Sequence, residues 1–249
     1  MAPRVSVTVL HRFRAAAVAG VLAMVGTVAS GNGAGAAIPV PSPDGQGFLT
    51  RGVTPAENPA DPLVLVNKIH PLAPRDWAPD DLARPDVATL GAHDELRTEA
   101  ARALEELAAG AEGATGHELV LVSGYRSADY QRRLYARYVD AHGRRAADTF
   151  SARAGHSEHQ TGLAADVTEE GTTYTRFGRT DTGRWVAGHA WRYGFVVRYP
   201  RGAEHVTGYA AEPWHLRYVG TELATRMHLA GTATLEEAFG VRPAPDYAR

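Results

Sequence analysis

Two short stretches, far apart in the chain, hold the residue types that could act on one bond together. The first runs Ser157-Glu158-His159-Gln160-Thr161-Gly162-Leu163-Ala164-Ala165-Asp166 and sets an imidazole and a carboxylate on either side of a glycine. In one unbroken helix the side chains of His159 and Asp166 would lie about 10 Å apart along the axis, and in an extended strand further still. A single cation can reach both only if the chain reverses near Gln160-Thr161-Gly162, where glycine adopts backbone angles that other residues avoid. The pattern therefore predicts a turn at Gly162 entering a short strand, Leu163 to Val167, that carries Asp166.

The second stretch is Glu212-Pro213-Trp214-His215, followed by Leu216-Arg217-Tyr218-Val219. Trp214, Leu216 and Tyr218 alternate with His215, Arg217 and Val219, the period of a strand with one face in a core, so His215 faces away from Trp214. Pro213 supplies no ladder donor and is tolerated mainly at a strand's first position, which puts Glu212 in the preceding turn. Two histidines and one carboxylate would leave a fourth position open on a zinc ion, as in catalytic rather than structural sites. A glutamate nearby but outside the ligand set is what an activated water needs as general base.

Ser157-x-His159 with Gly162 and Asp166, followed much later by Glu212-x-x-His215, resembles the zinc signature of the D-alanyl-D-alanine carboxypeptidases and dipeptidases, the VanY and VanX group of cell-wall peptidases. A third piece, Ser123-Gly124-Tyr125-Arg126-Ser127 followed by Gln131, is similar to the family segment whose arginine polarises the scissile carbonyl. The resemblance implies one zinc ion on His159, Asp166 and His215, with Glu212 as base. It implies that Arg126 faces the developing oxyanion, a task suited to a permanently charged planar fork of donors. It also implies substrate contacts from Ser157, Gln131 and Tyr125. Where the family commonly has Pro-Gly and a variable residue, this chain reads Ala154-Gly155-His156, and His156 reads as lining the pocket or facing solvent rather than as a ligand.

The elements that must position these residues follow from local pattern. Leu63-Val64-Leu65-Val66 ahead of Asn67-Lys68 reads as a buried strand or extended arm. Leu96, Ala100, Ala103, Leu104 and Leu107 repeat at helical spacing, with Gly110 as the expected stop. Leu119 to Val122 reads as a strand, and Ser127 can cap a helix whose faces carry Tyr130, Leu134 and Tyr138 on one side and Gln131 and Tyr135 on another. Thr182 can cap a helix through Tyr193, with His189 and Trp191 as packing or surface residues. Phe195 to Tyr199 resumes as a strand, and Gly220 to Leu229 closes as an amphipathic helix. This alternation suits an α+β domain with helices against a small antiparallel sheet, and the resemblance implies the zinc peptidase fold shared with Hedgehog signalling domains.

At the N-terminus, Arg4, Arg12 and Arg14 precede an uncharged run from Ala15 to Ala29 and then small residues through Ala37, the order of a cleaved export signal over residues 1–37. The run is short of the roughly 20 apolar residues of a membrane span. Residues 38–60 read as a flexible linker, 61–240 as one peptidase domain and 241–249 as a disordered tail. The chain has no cysteine, so neither disulfides nor an N-terminal lipidated cysteine contribute. A net charge of -2 with both signs interspersed gives no polybasic tract for nucleic acid or an anionic membrane. The resulting expectation is an extracytoplasmic bacterial enzyme, secreted or wall-associated, trimming the terminal D-alanine from a peptidoglycan stem peptide. The same machinery would serve an L,D-carboxypeptidase or a D-Ala-D-Ala dipeptidase. A non-catalytic zinc- or wall-binding module is the distant alternative, and Glu212 argues against it.

Overall fold

The computed structural model describes residues 53–248, so the export-signal segment and linker residues 38–52 lie outside the described part. In chain order the elements are β1 (Leu82–Ala83), β2 (Ala88–Thr89), β3 (Leu96–Arg97), α1 (Thr98–Thr115), β4 (Leu119–Ser123), α2 (Ala128–His142) and α3 (Arg144–Ala147). A 3-10 turn (Glu158–Thr161) leads into β5 (Ala164–Glu169), and a second (Tyr174–Arg179) into α4 (Asp181–His189). A third 3-10 turn (Ala190–Tyr193) leads into β6 (Phe195–Tyr199), followed by α5 (Glu204–Thr207), β7 (Glu212–Tyr218), α6 (Gly220–Ala230) and α7 (Leu235–Ala238).

Five strands form the central sheet in the order β2-β4-β5-β7-β6. The pairings β4–β5, β5–β7 and β7–β6 are antiparallel, and only the two-residue edge strand β2 runs parallel to its neighbour. This is the α+β architecture expected. Helix α1 lays Ala100, Leu104, Leu107 and Ala111 on the sheet face carrying Leu119, Leu121, Val167 and Leu216. A second apolar cluster joins Leu65 to Leu223 and Met227 of α6 and to Leu235 and Phe239.

Besides the cap of α4, which is Thr180 rather than Thr182, three expectations need correction. Gly110 does not end α1, which continues to Thr115 and stops at Gly116, a left-handed residue with φ 74°. Gly110 is there because of close packing: a Cβ would run into the Tyr193 hydroxyl and lie 3.0 Å from Trp185. Secondly, residues 241–248 are not a loose tail. Ala244 is fully buried and donates to the Val206 carbonyl. The Lys68 ammonium donates to the carbonyls of Gly208 and Pro245, and its charge lies 4.7 Å from the centre of the Tyr209 ring. Thirdly, both faces of β7 are buried, because Arg217 is as inaccessible as Leu216. Polar partners explain this: Glu158 and the carbonyls of Pro62 and Val64 cover the face that alternation alone assigns to solvent.

Candidate metal centre and cleft

Sheet register brings the first two ligand candidates together. Asp166 of β5 is the direct cross-strand partner of His215 of β7, and side chains opposite each other on an antiparallel pair share a face with Cβ atoms about 5 Å apart. His215 Nδ1 lies 3.0 Å from Asp166 Oδ1.

His159 reaches the same point from the 3-10 turn. Gly162 follows with φ 69°, and a Cβ there would press on Arg97 Cγ at 2.9 Å, so the reversal requires glycine. The Gln160 amide fixes the turn by donating to the carbonyls of Arg75 and Trp77, while its oxygen accepts from the Gly155 N–H. His159 Nδ1 donates to the Gly124 carbonyl at 2.7 Å, which leaves Nε2 facing Asp166 Oδ2 at 3.2 Å.

Ligand atoms of His159, Asp166 and His215 all lie within 4.8 Å of one another. His159 Nε2 and Asp166 Oδ1 are buried and lack hydrogen-bond partners. Buried polar atoms are almost always paired, so two lone-pair atoms aimed at one point fit a cation in their midst. The donor set of two nitrogens and one carboxylate oxygen suits a zinc-like ion with an open position.

Electrostatics agree with that fit. Burial opposes ionisation of Asp166, but the two imidazoles outweigh it and hold the carboxyl well below its usual range. Burial, followed by the charge of Arg126, pushes His159 down to about 4, keeping it neutral and free to donate a lone pair. For His215, burial disfavours the charge, yet Asp166 and Glu158 pull its pKa up to about 9, a sign of how strongly the pocket favours positive charge at this spot.

Glu212 is the second surprise of β7. The strand begins at Glu212, not after it, and Glu212 pairs with Tyr199 while Leu216 pairs with Val197, so the ladder slips around Pro213. On a regular strand residues three apart point to opposite faces; the irregularity turns Glu212 onto the same side as His215, with Oε2 3.8 Å from Nδ1. Burial raises the Glu212 pKa to about 7, against the pull of His215.

A cleft of about 370 Å³ opens over these groups. Arg126 lines it, with a guanidinium nitrogen 3.9 Å from Asp166 Oδ2, and Ser157 lines it beside His159. The walls are aromatic: Tyr138 and Phe150 on one side, Tyr174 and Trp214, which meet edge to face at 5.0 Å, on the other.

Two of the expected substrate residues are elsewhere. Gln131 is buried behind the wall, where its amide donates to the Ala152 carbonyl at 2.7 Å and supports the Ser151-Ala152 lining. Tyr125 is half-buried and does not line the cleft. His156 is no ligand either: Nδ1 meets the Asn67 carbonyl and Nε2 the Arg75 guanidinium.

Sequence reasoning passed over Glu158, Arg198 and Arg217, all fully buried around the centre. The signal for the two arginines was a single charge inside each of the runs Phe195 to Tyr199 and Leu216 to Tyr218, because a charge on an interior strand must have a partner, and Glu158 is that partner.

Fold and side-chain chemistry together define the class, an α+β peptidase fold whose cleft floor can hold one metal ion. A family model described as VanY, D-alanyl-D-alanine carboxypeptidase, matches residues 93–221, and the chain belongs to this family. A putative carboxypeptidase, YodJ, of Bacillus subtilis (strain 168) is 41% identical over 197 residues, covering 76% of this chain and 70% of the relative. The LdcB LD-carboxypeptidase structure superposes with TM-score 0.69 at 40% identity, covering 77% of this chain and 92% of the other. The vancomycin-resistance D,D-pentapeptidase VanY of a VanB-type cassette, solved with Zn(II), superposes with TM-score 0.60 at 29% identity, covering 74% and 99%.

Proposed function

We propose that this chain is an exported zinc-dependent carboxypeptidase that releases the terminal D-alanine of peptidoglycan stem peptides. The observation that carries the reading is the meeting of His159, Asp166 and His215 at one point, with Glu212 and Arg126 beside it in one cleft. A zinc ion on those three residues would supply Lewis acidity toward the scissile carbonyl and make water a better nucleophile at neutral pH.

The rest of the chemistry belongs to the side chains. Glu212 takes the proton of the attacking water, for which a pKa near neutrality is well matched, and passes it to the departing amine. Arg126 donates to the carbonyl oxygen as negative charge develops on it. Ser157 is within reach of the substrate's terminal residue, and the aromatic walls exclude water around the peptide tip. The export-signal pattern of residues 1–37 supports an extracytoplasmic location, where wall peptides are found.

A second reading, L,D-carboxypeptidase action on a tetrapeptide, is favoured by one observation: the LD-carboxypeptidase neighbour is more similar in sequence and in fold than the D,D-pentapeptidase neighbour. Mass spectrometry of products from matched pentapeptide and tetrapeptide substrates decides between them. D-Alanine released from the pentapeptide alone supports the first reading, and release from the tetrapeptide alone supports the second. A zinc-loaded protein that releases D-alanine from neither refutes both.

A further inference from the structure

His215 has two ring nitrogens, and the cleft accounts for only one of them. Nδ1 faces Asp166 and Glu212, while Nε2 lies 3.4 Å from Glu158 Oε2 on the opposite side of the ring. Glu158 is fully buried, and its other oxygen accepts from Arg198 Nε at 2.8 Å and from an Arg217 guanidinium nitrogen at 2.9 Å. A carboxylate gripped by two guanidiniums is ionised and can only accept. The hydrogen between Glu158 and His215 therefore sits on Nε2, so the neutral imidazole that a metal requires carries its lone pair on Nδ1, the nitrogen facing the cluster.

The charges behind Glu158 form a closed set. Arg198 turns its two terminal nitrogens onto both oxygens of Glu236, at 2.9 and 2.7 Å, and Asn67 donates to the same carboxylate at 2.9 Å. Arg217 spends its remaining donors on the carbonyls of Pro62, Val64 and Tyr218. Two anions and two cations thus cancel with their side chains fully buried. Apolar packing of equal volume would hold a fold at least as well as such a quartet, so stability alone does not account for it. A fixed carboxylate behind a metal-binding imidazole would account for it, since a buried anion at that place needs the two arginines, and the second arginine's charge then needs Glu236.

We propose that Glu158 is a positioning residue for the metal site: it fixes the tautomer and ring orientation of His215 and strengthens Nδ1 as a donor, while Arg198 and Arg217 keep that carboxylate charged and immobile in the protein interior and Glu236 offsets the remaining charge of Arg198. The two imidazoles are then oriented by different means, His159 by a neutral backbone carbonyl and His215 by a carboxylate. Outer partners of this kind change metal affinity by about 10- to 100-fold. The inference rests on the metal reading of the cleft.

The test compares three variants of the full chain, Glu158→Gln, Glu158→Asp and Glu236→Gln, by zinc affinity in chelator competition, by the visible spectrum of the Co(II)-loaded protein and by thermal denaturation. Glu236→Gln damages the same network without touching His215, so it should lower the melting temperature yet leave zinc affinity within about a factor of two. Glu158→Gln should weaken zinc binding by about 10- to 100-fold and shift the Co(II) bands. If Glu158→Gln does not fold, Glu158→Asp keeps the charge for the arginines but withdraws it from Nε2, and should show the same loss of affinity. Wild-type affinity and spectrum in the folded Glu158 variants, or an equal loss in Glu236→Gln, would overturn the proposal while leaving the metal reading intact. Failure of the unaltered protein to bind zinc would overturn both.

Discussion

The two sides of the His215 ring carry carboxylates that keep different company. On the Nδ1 side Asp166 has an oxygen with no hydrogen-bond partner, and Glu212 is held so loosely by its neighbours that burial lifts its pKa to about 7. On the Nε2 side both Glu158 oxygens have partners, and burial's opposition to its charge is overcome by Arg198 and Arg217, which hold its pKa far below the usual carboxylate range. Buried carboxylates of similar reach are thus sorted by their surroundings. Unsatisfied lone pairs mark a ligand or a base, and saturated ones mark a support.

The contrast breaks most sharply at Asp166. Asp166→Ala should abolish zinc binding by metal analysis and bring peptide release to background, because two imidazoles alone cannot complete the site; a variant that kept one zinc per chain would move Asp166 out of the ligand set. Glu212→Gln should keep its zinc and lose about a hundredfold to ten-thousandfold in kcat. Near-normal turnover there would erase the distinction between base and bystander. Arg126→Ala should lower kcat by about a hundredfold to a thousandfold, with zinc retained, as for loss of a donor to a developing oxyanion; a rise in KM with unchanged kcat would make Arg126 a binding residue instead.

Glu212 also sets the acid side of the pH profile. The base works only as a carboxylate, so kcat/KM should fall as pH drops through its pKa. A neighbouring cation favours the ionised form, so in the zinc-loaded enzyme this limb should lie below the value of about 7 to which burial, against the pull of His215, raises it without the metal. Its absence from steady-state profiles would remove Glu212 from the proton path. The smallest effect belongs to Gln131. Gln131→Ala removes the donor to the part-buried Ala152 carbonyl, about 1 kcal/mol of stability by denaturant titration, and should loosen the Ser151-Ala152 wall enough to raise KM while kcat is largely kept.

Where pattern and structure parted, the cause was pairing between distant segments. Alternation along residues 214–219 placed His215 opposite Trp214, but it could not register that Glu158 and the Pro62–Val64 backbone would cover the second face and bury Arg217. The resemblance implied a substrate contact from Gln131, whereas the segment ending at Ala152 folds over that side of α2 and takes its amide. The tail from residue 241 has the composition of a loose end. It is held because Lys68, near the start of the domain, needs carbonyl partners for a buried ammonium.

What the sequence determined by itself is local. His159 and Asp166, seven positions apart, can serve one ion only through a reversal, and glycine at 162 allows it, so ligand types, turn and adjoining strand were all legible in one stretch. Tertiary structure alone decided the rest: the cross-strand register that sets Asp166 against His215, the slip at Pro213 that brings Glu212 round to their side, and the four-charge set behind His215. Each depends on which backbone lies next to which, and that is settled by the packing of strands and helices distant in sequence rather than by the order of residues within any one of them.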